Sequence, residues 1–286
     1  MPTIENFATV RYTSGGVQNT TVSNLAEIDL ASSVSLTKVP LTDAYEDGSS
    51  LTYILTVQNN STPTLTDLSI TDDLGTFTYE EASLTPLTYS GNAVLLINGQ
   101  DASPLLTVDA SNPASLIFNV SSLSAGQTAN VIYSVSVNRF APLSEGSTIV
   151  NTATLTAASE CAEGTATATV TVASLANVSV FKQMSPNPVV CGNLITYSIR
   201  IYNYGNVPAE DVQLTDTFDP APTNVTVTRD GIALLTTEYT YVDGVLTVPT
   251  ADAQGDTIPA ATYTRDDSGA LVVTPGMVEY VITGTF

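Results

Sequence analysis

The sequence predicts an all-β protein built from two copies of one sandwich-like unit. Stretches such as SLTYILTVQ, TATATVTVA, NVTVTRD and VEYVITGTF alternate with a period of two and are rich in Thr, Val, Ile and Tyr, as half-buried strands are. Pro, Gly, Asn and Asp break these stretches at short intervals, and no stretch sustains a helical period. A further observation, an internal repeat, divides the chain into halves.

The repeat is centred on the only two lysines of the chain, Lys38 and Lys182, which lie 144 residues apart. Aligned on the lysines without a gap, LTKV faces VFKQ, LTYILTVQN faces ITYSIRIYN, and DLSITDD faces DVQLTDT. Matches at a constant offset identify an internal repeat. Because lysine is so scarce in this chain, its presence at the same place in both copies suggests a chemical role.

Each half, at about 140 residues, is long enough to bury a core of its own. The short strands and frequent turn signals favour an immunoglobulin-like sandwich of roughly seven to nine strands for each copy. We therefore predict three parts in chain order: an N-terminal segment, residues 1–30; a complete first repeat, residues 31–175; and a second repeat, residues 176–286, that lacks its closing hairpin.

The first repeat closes with a Thr/Ala/Val-rich hairpin, Val150–Val172, for which the second repeat has no counterpart. The second repeat stops at VEYVITGTF, which matches NVIYSVSVNRF of the first. A segment of the missing type lies near the start of the chain, where Glu5–Thr13 resembles the beginning of the closing hairpin, with Asn6 over Asn151. Joining the end of one chain to the start of the next would place their lysines 142 residues apart, against 144 within the chain.

An incomplete sandwich exposes an apolar groove and unpaired strand edges, which invites strand addition from another chain. We therefore expect the second repeat to be completed by the N-terminal hairpin of a neighbouring copy. This contact joins two different surfaces, so it propagates head to tail into a filament. The alternatives are that Glu5–Thr13 folds back into its own second domain, or lies on its own first domain. The predicted donor strand comprises Asn6, Phe7, Ala8, Thr9, Val10, Arg11 and Tyr12.

The formal net charge of −21, with seven basic residues, excludes nucleic acid and anionic membranes as partners, because both require a basic patch. The acidity is typical of a soluble surface protein. Calcium binding through Asp72, Asp73 or the pair Asp266–Asp267 is an alternative, but no EF-hand spacing is present. We predict no metal and no cofactor. The N-terminus has no basic, apolar signal sequence, and no segment is long enough to span a membrane.

Enzyme chemistry is poorly supported by the residue types present. The chain has no histidine, the commonest general base, and no Gly-rich phosphate loop, zinc spacing or GxSxG elbow. Two cysteines cannot form a structural zinc site alone. A sandwich hydrolase or carbohydrate binder is disfavoured because the chain has neither histidine nor tryptophan. We therefore predict that the protein is not an enzyme in the ordinary sense.

The pattern K…GxxxTYxIxVxNxG…A…V.xTDT, followed by NTATLT…ATATVTV, resembles the conserved repeat domain of unknown function in Gram-positive surface proteins. The second copy fits it well in YNYGNVPAEDVQLTDTFDPAP, whereas the first reads QNNSTPTLTDLSITDDLG and lacks the Gly of NxG. A family of clostridial spore-appendage proteins is similar in carrying this domain and in size. The resemblance implies a structural fibre on a cell or spore surface, with anchoring or capping proteins that are unknown.

The resemblance also implies a role for the lysines. Sandwich domains of this kind in Gram-positive adhesins and pili can carry autocatalytic Lys–Asn isopeptide crosslinks, with Lys on an early strand, an acid about one hairpin later and Asn on a late strand. Lys38, Asp72 and Asn151 follow that order in the first repeat. They suggest an intramolecular Lys38–Asn151 bond whose formation Asp72 assists.

Lys182 and Asp216 repeat the first two positions in the second repeat, but the third partner is missing from that repeat. The hypothesis therefore gives an intermolecular bond between Lys182 and Asn6 of the next copy, assisted by Asp216. Burial must lower the lysine pKa so that a neutral amine attacks, while a protonated acid polarises the Asn amide. The alternative is two noncovalent Lys–Asp pairs. Asp73, Asp211 or a glutamate could also be the assisting acid.

The two cysteines lie at opposite poles of the predicted chain, Cys161 in the turn of the closing hairpin and Cys191 in the loop after the Lys182 strand. Their separation disfavours a bridge within one chain. In a head-to-tail filament the two poles of successive copies would meet, and an inter-subunit disulfide would suit an extracellular fibre. The alternative is two free thiols that behave as small apolar residues.

The sequence therefore predicts a self-assembling structural subunit of an extracellular or spore-surface filament, whose principal partner is another copy of itself. The alternative is an adhesin or stalk, in which the two repeats are spacer domains of a larger surface protein that binds a host or matrix ligand.

Overall fold

The computed structural model of the protein describes residues 3–29, 32–158 and 162–286. Apart from one 3₁₀ turn at Ser103–Leu105, the regular elements of these ranges are all β-strands, which confirms the predicted all-β class. The chain divides into two compact units, one formed by the described residues of Met1–Ala141 and Ile149–Val170, the other by Pro142–Thr148 and Thr171–Phe286. The predicted boundaries at residues 30/31 and 175/176 stay predictions. No helix in the described part of the chain is long and apolar enough to cross a membrane.

The chain begins with a long β-hairpin. Strand β1 pairs with β4 and β2 pairs with β3, both antiparallel, from Thr3 opposite Asp29 to Ser14 opposite Val17. Gly15 and Gly16 form the two-residue turn with φ angles of 59° and 83°, a conformation that glycine adopts without steric cost. The four strands are β1 Thr3–Asn6, β2 Thr9–Ser14, β3 Val17–Val22 and β4 Ala26–Asp29.

Almost every residue of this N-terminal hairpin is exposed, on both faces. Among the described residues its four strands pair only with one another. A two-stranded hairpin is marginally stable in water by itself, and so many exposed apolar groups indicate a surface that another element covers. The large exposed apolar side chains are Ile4, Phe7, Val10, Tyr12, Val17, Val22, Leu25 and Ile28.

The first unit is a sandwich of two antiparallel sheets with the strand orders β12-β11-β15-β7-β5 and β13-β14-β8-β16-β17-β6. These sheets contain more strands than the predicted seven to nine, because two-residue pieces and short edge strands extend them. The strands are β5 Val34–Pro40, β6 Ala44–Tyr45, β7 Ser50–Asn59, β8 Leu65–Asp72, β9 Phe77–Tyr79, β10 Ala82–Leu84, β11 Leu87–Ile97, β12 Gln100–Asp101, β13 Leu106–Asp109, β14 Leu116–Leu123, β15 Thr128–Val137, β16 Thr148–Thr156 and β17 Gly164–Val172.

The core of the first unit lies between the two sheets. Alternate residues of β7 and β15 are buried, as the period-two pattern of the sequence predicts. Tyr53 and Tyr133 stand opposite each other on these strands with ring centroids 5.7 Å apart, and Phe118 of the facing sheet packs 4.8 Å from Tyr133. Three aromatic rings therefore fill the middle of the sandwich.

The second unit has one five-stranded sheet, β18-β19-β29-β22-β23, faced by shorter sheets β21-β25-β24 and β20-β26, with a separate pair β27-β28. Its core is formed by inward residues of β19 and β29 against Phe218, Leu246 and Ile258. The strands are β18 Val178–Ser185, β19 Leu194–Asn203, β20 Ala209–Val212, β21 Leu214–Thr217, β22 Thr223–Arg229, β23 Ile232–Ala233, β24 Thr240–Val242, β25 Val245–Val248, β26 Asp256–Ile258, β27 Thr262–Arg265, β28 Leu271–Thr274 and β29 Gly276–Thr285.

The 144-residue repeat extends to backbone details. Lys38 pairs with Leu55 on the neighbouring strand, and Lys182 pairs with Ile199, which is the same register. Asp67 and Asp211, also 144 residues apart, both adopt positive φ, 54° and 53°. The two units therefore share strand register and loop geometry at these repeated positions.

A pair of buried asparagines shows the same correspondence. Asn59 donates from its side-chain amide to the Pro63 carbonyl, and Asn203 donates to the Val207 carbonyl. Each Oδ1 accepts the backbone N–H two residues ahead. These two asparagines hold the loop after the strand, so the asparagine repeated in both copies has a structural role.

Candidate functional site

Lys38 lies on β5 and points into the first sandwich. Its Nζ donates a hydrogen bond of 2.7 Å to Asp72 Oδ2, and both side chains are fully buried. Nζ also lies 5.2 Å from the centroid of the Tyr53 ring. Burial lowers the pKa of Lys38, and the nearby Asp72 only partly opposes this effect. The fold therefore favours the neutral amine more than water does.

Asp72 is the last residue of β8, and three donors hold its carboxylate. Oδ2 accepts from Lys38 and from the Tyr133 hydroxyl, and Oδ1 accepts the Leu74 backbone N–H at 3.0 Å. Burial raises the pKa of Tyr133 well above its ordinary value, and the Asp72 charge raises it further. Tyr133 therefore stays protonated and acts as a donor that fixes the orientation of Asp72.

Asn151 lies on β16 and is completely buried. Neither its Oδ1 nor its Nδ2 has a hydrogen-bond partner of normal geometry among the described residues. Its amide is near the hydroxyls of Tyr53 and Tyr133 and lowers the pKa of both, against the larger raising effect of burial. An unpaired buried amide costs about 1–3 kcal/mol, so the noncovalent contacts leave this side chain unsatisfied.

The backbone holds Asn151 next to the lysine–aspartate pair. Asp73 donates its N–H to the Thr152 carbonyl at 3.0 Å, and Asp73 Oδ1 accepts the Thr152 N–H at 2.9 Å. These contacts join the residue after Asp72 to the residue after Asn151. The structure thus brings Lys38, Asp72 and Asn151 into one buried cluster. Asp73 Oδ1 accepts the backbone N–H groups of Gly75 and Thr152, whereas Lys38 donates its hydrogen bond to Asp72.

Tyr133→Phe is expected to destabilise the first unit by about 1.5–3 kcal/mol, because it removes a buried hydrogen bond to a charged group. The measurement is urea unfolding at neutral pH. Tyr53→Phe is the matched control, since the buried Tyr53 hydroxyl has no normal hydrogen bond among the described residues. It should cost less than about 1 kcal/mol. Equal costs for the two substitutions would contradict the positioning role of Tyr133.

The second unit contains the same pair in an open setting. Lys182 Nζ lies 2.6 Å and 2.7 Å from the two carboxylate oxygens of Asp216. Its ammonium is 5.2 Å from the Tyr197 ring and 5.1 Å from the Phe218 ring. The Lys182 side chain is 37% exposed, whereas that of Lys38 is 0% exposed. The geometry is repeated, but the burial is not.

The difference in burial has a clear origin. In the first unit the closing hairpin β16–β17 covers the inner face of β5 so closely that a Cβ added at Gly164 would lie 3.2 Å from the Leu36 Cβ. On β18 the corresponding face is bare: Val180 and Met184 are 59% and 63% exposed. The second unit therefore has an open apolar face around Lys182.

A free sheet edge lies beside this face. In the first unit β8 sits between β14 and β16, but among the described residues β21, which carries Asp216, pairs only with β25. Strand β29 pairs with β19 as β15 pairs with β7, so the counterpart of β15 is present. Among the strands described for the second unit, none corresponds to the hairpin β16–β17. We name the bare face of β18 and the free edge of β21 the acceptor site.

The N-terminal hairpin repeats the inward pattern of β16. The buried residues of β16 are Ile149, Asn151, Ala153 and Leu155. At the same spacing, β1 and β2 with the link between them carry Ile4, Asn6, Ala8 and Val10, all exposed. Ile4 matches Ile149 and lies one residue before Glu5–Thr13, the segment compared with the closing hairpin in the sequence. The similarity between the two segments is therefore one residue longer than predicted.

The predicted donor residues Asn6 to Tyr12 do not form one continuous strand. Strand β1 ends at Asn6 and β2 begins at Thr9. Ser23 bridges the break, since its Oγ accepts the Ala8 N–H at 2.9 Å and its N–H donates to the Ala8 carbonyl at 2.8 Å. All seven residues are exposed.

Sequence reasoning missed Tyr133 as part of the first site. Strand β15 places Tyr133 opposite Tyr53, but β29 places Ile282 opposite Tyr197. The sequence shows that Tyr53 repeats as Tyr197. It does not show which residue stands opposite each of these tyrosines, because that depends on the strand pairing. The acid of the second site therefore lacks the tyrosine donor of the first.

Cys191 is a free, exposed thiol in the loop between β18 and β19, with Sγ 3.8 Å from the Phe286 carbonyl oxygen. Cys161 lies outside the described residues, so the inter-subunit disulfide stays a prediction. Asp266 Oδ1 accepts two hydrogen bonds from Ser268 and one from Ala270, which makes it a turn-capping residue. Within the described ranges no group of three or more acidic or cysteine side chains could hold a metal ion.

No family model matches the chain, and no curated protein matches it. Solved structures to which the chain shows a weak likeness include BcpA, the major pilin subunit of Bacillus cereus, at 12% identity and a TM-score of 0.36, covering 96% of this chain and 73% of that one. Another is the collagen-binding subdomain of the Enterococcus faecalis surface protein ACE, at 13% identity and 0.32, covering 48% and 95%. A third is a ScaB cohesin of Pseudobacteroides cellulosolvens, at 10% identity and 0.34, covering 50% and 94%. Likenesses this weak carry no argument about function.

Proposed function

We propose that this chain is a structural subunit of an extracellular filament on a cell or spore surface. Each copy donates its N-terminal hairpin to the acceptor site of the next copy. One observation carries the proposal: the second unit is open where the first is covered by β16–β17, and the exposed hairpin repeats three of the four inward residue types of β16, with Val10 in place of Leu155. Because the donor and acceptor are different surfaces, the contact repeats without closing.

The energetics favour such docking. Both surfaces expose apolar side chains, Val10 and Ile4 on the hairpin and Val180 and Met184 on the acceptor site. Burying a side chain of this size gains about 1.5–3 kcal/mol. The free edge of β21 adds main-chain hydrogen bonds, as in other cases of strand addition.

We further propose that isopeptide bonds reinforce the filament. The neutral Nζ of lysine attacks the Asn side-chain carbonyl carbon, and a new C–N bond forms. The aspartate carries a proton from the lysine nitrogen to the amide nitrogen of Asn, the original C–N bond breaks, and ammonia leaves. The buried Lys38–Asp72 contact, the lowered Lys38 pKa and the unpaired Asn151 amide support the intramolecular bond. The matching Lys182–Asp216 pair supports a bond to Asn6 of the next copy.

The test of the filament compares the full chain with a variant that lacks residues 1–29. Sedimentation and negative-stain images should show filaments for the first and monomers for the second. Val10→Asp should also prevent assembly, because it places a charge on the docking face. Thr9→Asp is the matched control on the opposite face and should still assemble.

Filaments formed without residues 1–29 would overturn donor-strand assembly. A full chain that stays monomeric at every concentration would instead favour the interpretation that the two units are spacer domains of an adhesin or stalk.

A further inference from the structure

We propose that the donor hairpin docks on β21 of the next copy in one fixed register, in which side-chain pairing sets the position of Asn6. This inference rests on the proposed head-to-tail assembly and goes beyond it, because it states which residues face each other. The opposed pairs, donor first, are Ala8 with Asp216, Thr9 with Thr215, Val10 with Leu214 and Arg11 with Gln213.

The register follows from the pairing of β16 with β8 in the first unit, where Ala153 stands opposite Asp72 and Thr154 opposite Thr71. The acceptor positions follow from the 144-residue offset that the β-pairing of both units obeys. The donor positions follow from the correspondence of Asn6 with Asn151, an offset of 145 residues. The 144-residue offset of the acceptor strand and the 145-residue offset of the donor come from separate observations. Together they define one register between the hairpin and β21.

Other registers either expose the apolar row of the hairpin or move Asn6 out of reach of Lys182. A slip of one residue turns Asn6, Ala8 and Val10 away from the sandwich and faces Thr9 and Arg11 inward. A slip of two residues keeps the faces but moves Asn6 by about 7 Å along the strand. That distance would take its amide out of reach of Lys182. Only the register stated above both buries the apolar row and presents Asn6 to the lysine.

Charge favours docking at this end of β21 but does not distinguish registers two residues apart. Arg11 is the only basic residue of the hairpin, on a chain with a formal net charge of −21. It faces outward and would lie opposite Gln213, next to the exposed acidic residues Glu210 and Asp211 of β20. Copies of so acidic a chain repel one another, and this pairing places the one favourable charge of the hairpin against an acidic pair.

The test uses engineered disulfides in the full chain, with both native cysteines replaced by serine and with Asn6→Ala to remove the isopeptide link. The matched pair combines Thr9→Cys with Thr215→Cys. Opposite residues of an antiparallel pair have Cα atoms about 4.5–5.5 Å apart, within the range that a disulfide spans. The two control pairs combine Thr9→Cys with Gln213→Cys or with Thr217→Cys, which lie on the same face but two residues away, at about 7 Å or more.

After mild oxidation, non-reducing gels should show a ladder for the matched pair at least about tenfold stronger than for either control. A ladder from a control pair would overturn the register while leaving head-to-tail assembly intact. Filaments that form with no disulfide from any of the three pairs would also overturn the register. If none of these variants forms disulfides or filaments, and the unsubstituted chain also forms no filaments, the proposed function itself is overturned.

Discussion

Lys182→Arg is expected to convert a covalent ladder of subunits into monomers on denaturing, reducing gels. Arginine keeps the positive charge and can still pair with Asp216, but its guanidinium stays protonated and cannot attack an amide. In the unsubstituted protein every link should be lighter by about 17 Da, the mass of the ammonia that leaves. Intact mass spectrometry of each band measures this loss. Filaments of the arginine variant should still appear in negative stain and should dissolve in detergent.

Two further substitutions sharpen this experiment. Asn6→Ala should abolish the ladder as completely as Lys182→Arg, because the bond needs both partners. Asn6→Asp leaves a carboxyl group that loses water instead of ammonia, so any residual link should be lighter by about 18 Da. A ladder that survives Lys182→Arg, or bands at the plain multiple of the subunit mass, would exclude the Lys182–Asn6 bond.

Asp72→Asn is expected to have the second-largest effect, on the first unit alone. It leaves Lys38 buried without a charged partner, and breaking a buried ion pair in this way costs about 3–5 kcal/mol. It also removes the acid proposed to transfer the proton, so the Lys38–Asn151 bond should fail to form. The monomer should then be about 16 Da heavier than the unsubstituted chain, because about 17 Da of ammonia is retained and the change from Asp to Asn removes about 1 Da. Urea unfolding measures the combined loss of the ion pair and the crosslink, and intact mass shows whether the crosslink is present.

Asp73→Asn is the matched control for Asp72→Asn. Its Oδ1 accepts backbone N–H groups of Gly75 and Thr152, and an asparagine oxygen can accept both. The crosslink and most of the stability should therefore remain. Loss of the crosslink in Asp73→Asn but not in Asp72→Asn would identify the other acid as the assisting one. An unmodified mass for the unsubstituted first unit would mean that Lys38 and Asp72 form a noncovalent pair only.

Local patterns in the sequence predict much of the architecture. Period-two alternation predicts β7, β15 and β29, because each strand buries one face whatever the rest of the chain does. The constant 144-residue offset predicts that Lys38 and Lys182 occupy the same place in two copies, and the strand register agrees. The pairing of each lysine with an aspartate 34 residues later follows from the same offset.

The break at Phe7–Ala8 and the extra strands of the first unit could not be predicted in this way. Short edge strands such as β6 and β12 depend on neighbours that are distant in sequence, and two residues carry no detectable period. The role of Tyr133 was hidden for a similar reason. Its hydroxyl reaches Asp72 from a strand 61 residues away, and only the strand pairing shows that Ile282 takes its place in the second unit.

Local pattern and a constant offset are enough to predict the all-β class, the two copies and the residue types at each lysine site. The difference between the two lysine sites is visible only in the folded structure. Lys38 is fully buried because β16 and β17 close over it, whereas Lys182 stays 37% exposed beside a free edge. Burial is set by strands far apart in the chain, and burial is what lowers the pKa of a lysine. The same two residues therefore form a closed site in one unit and an open site in the other.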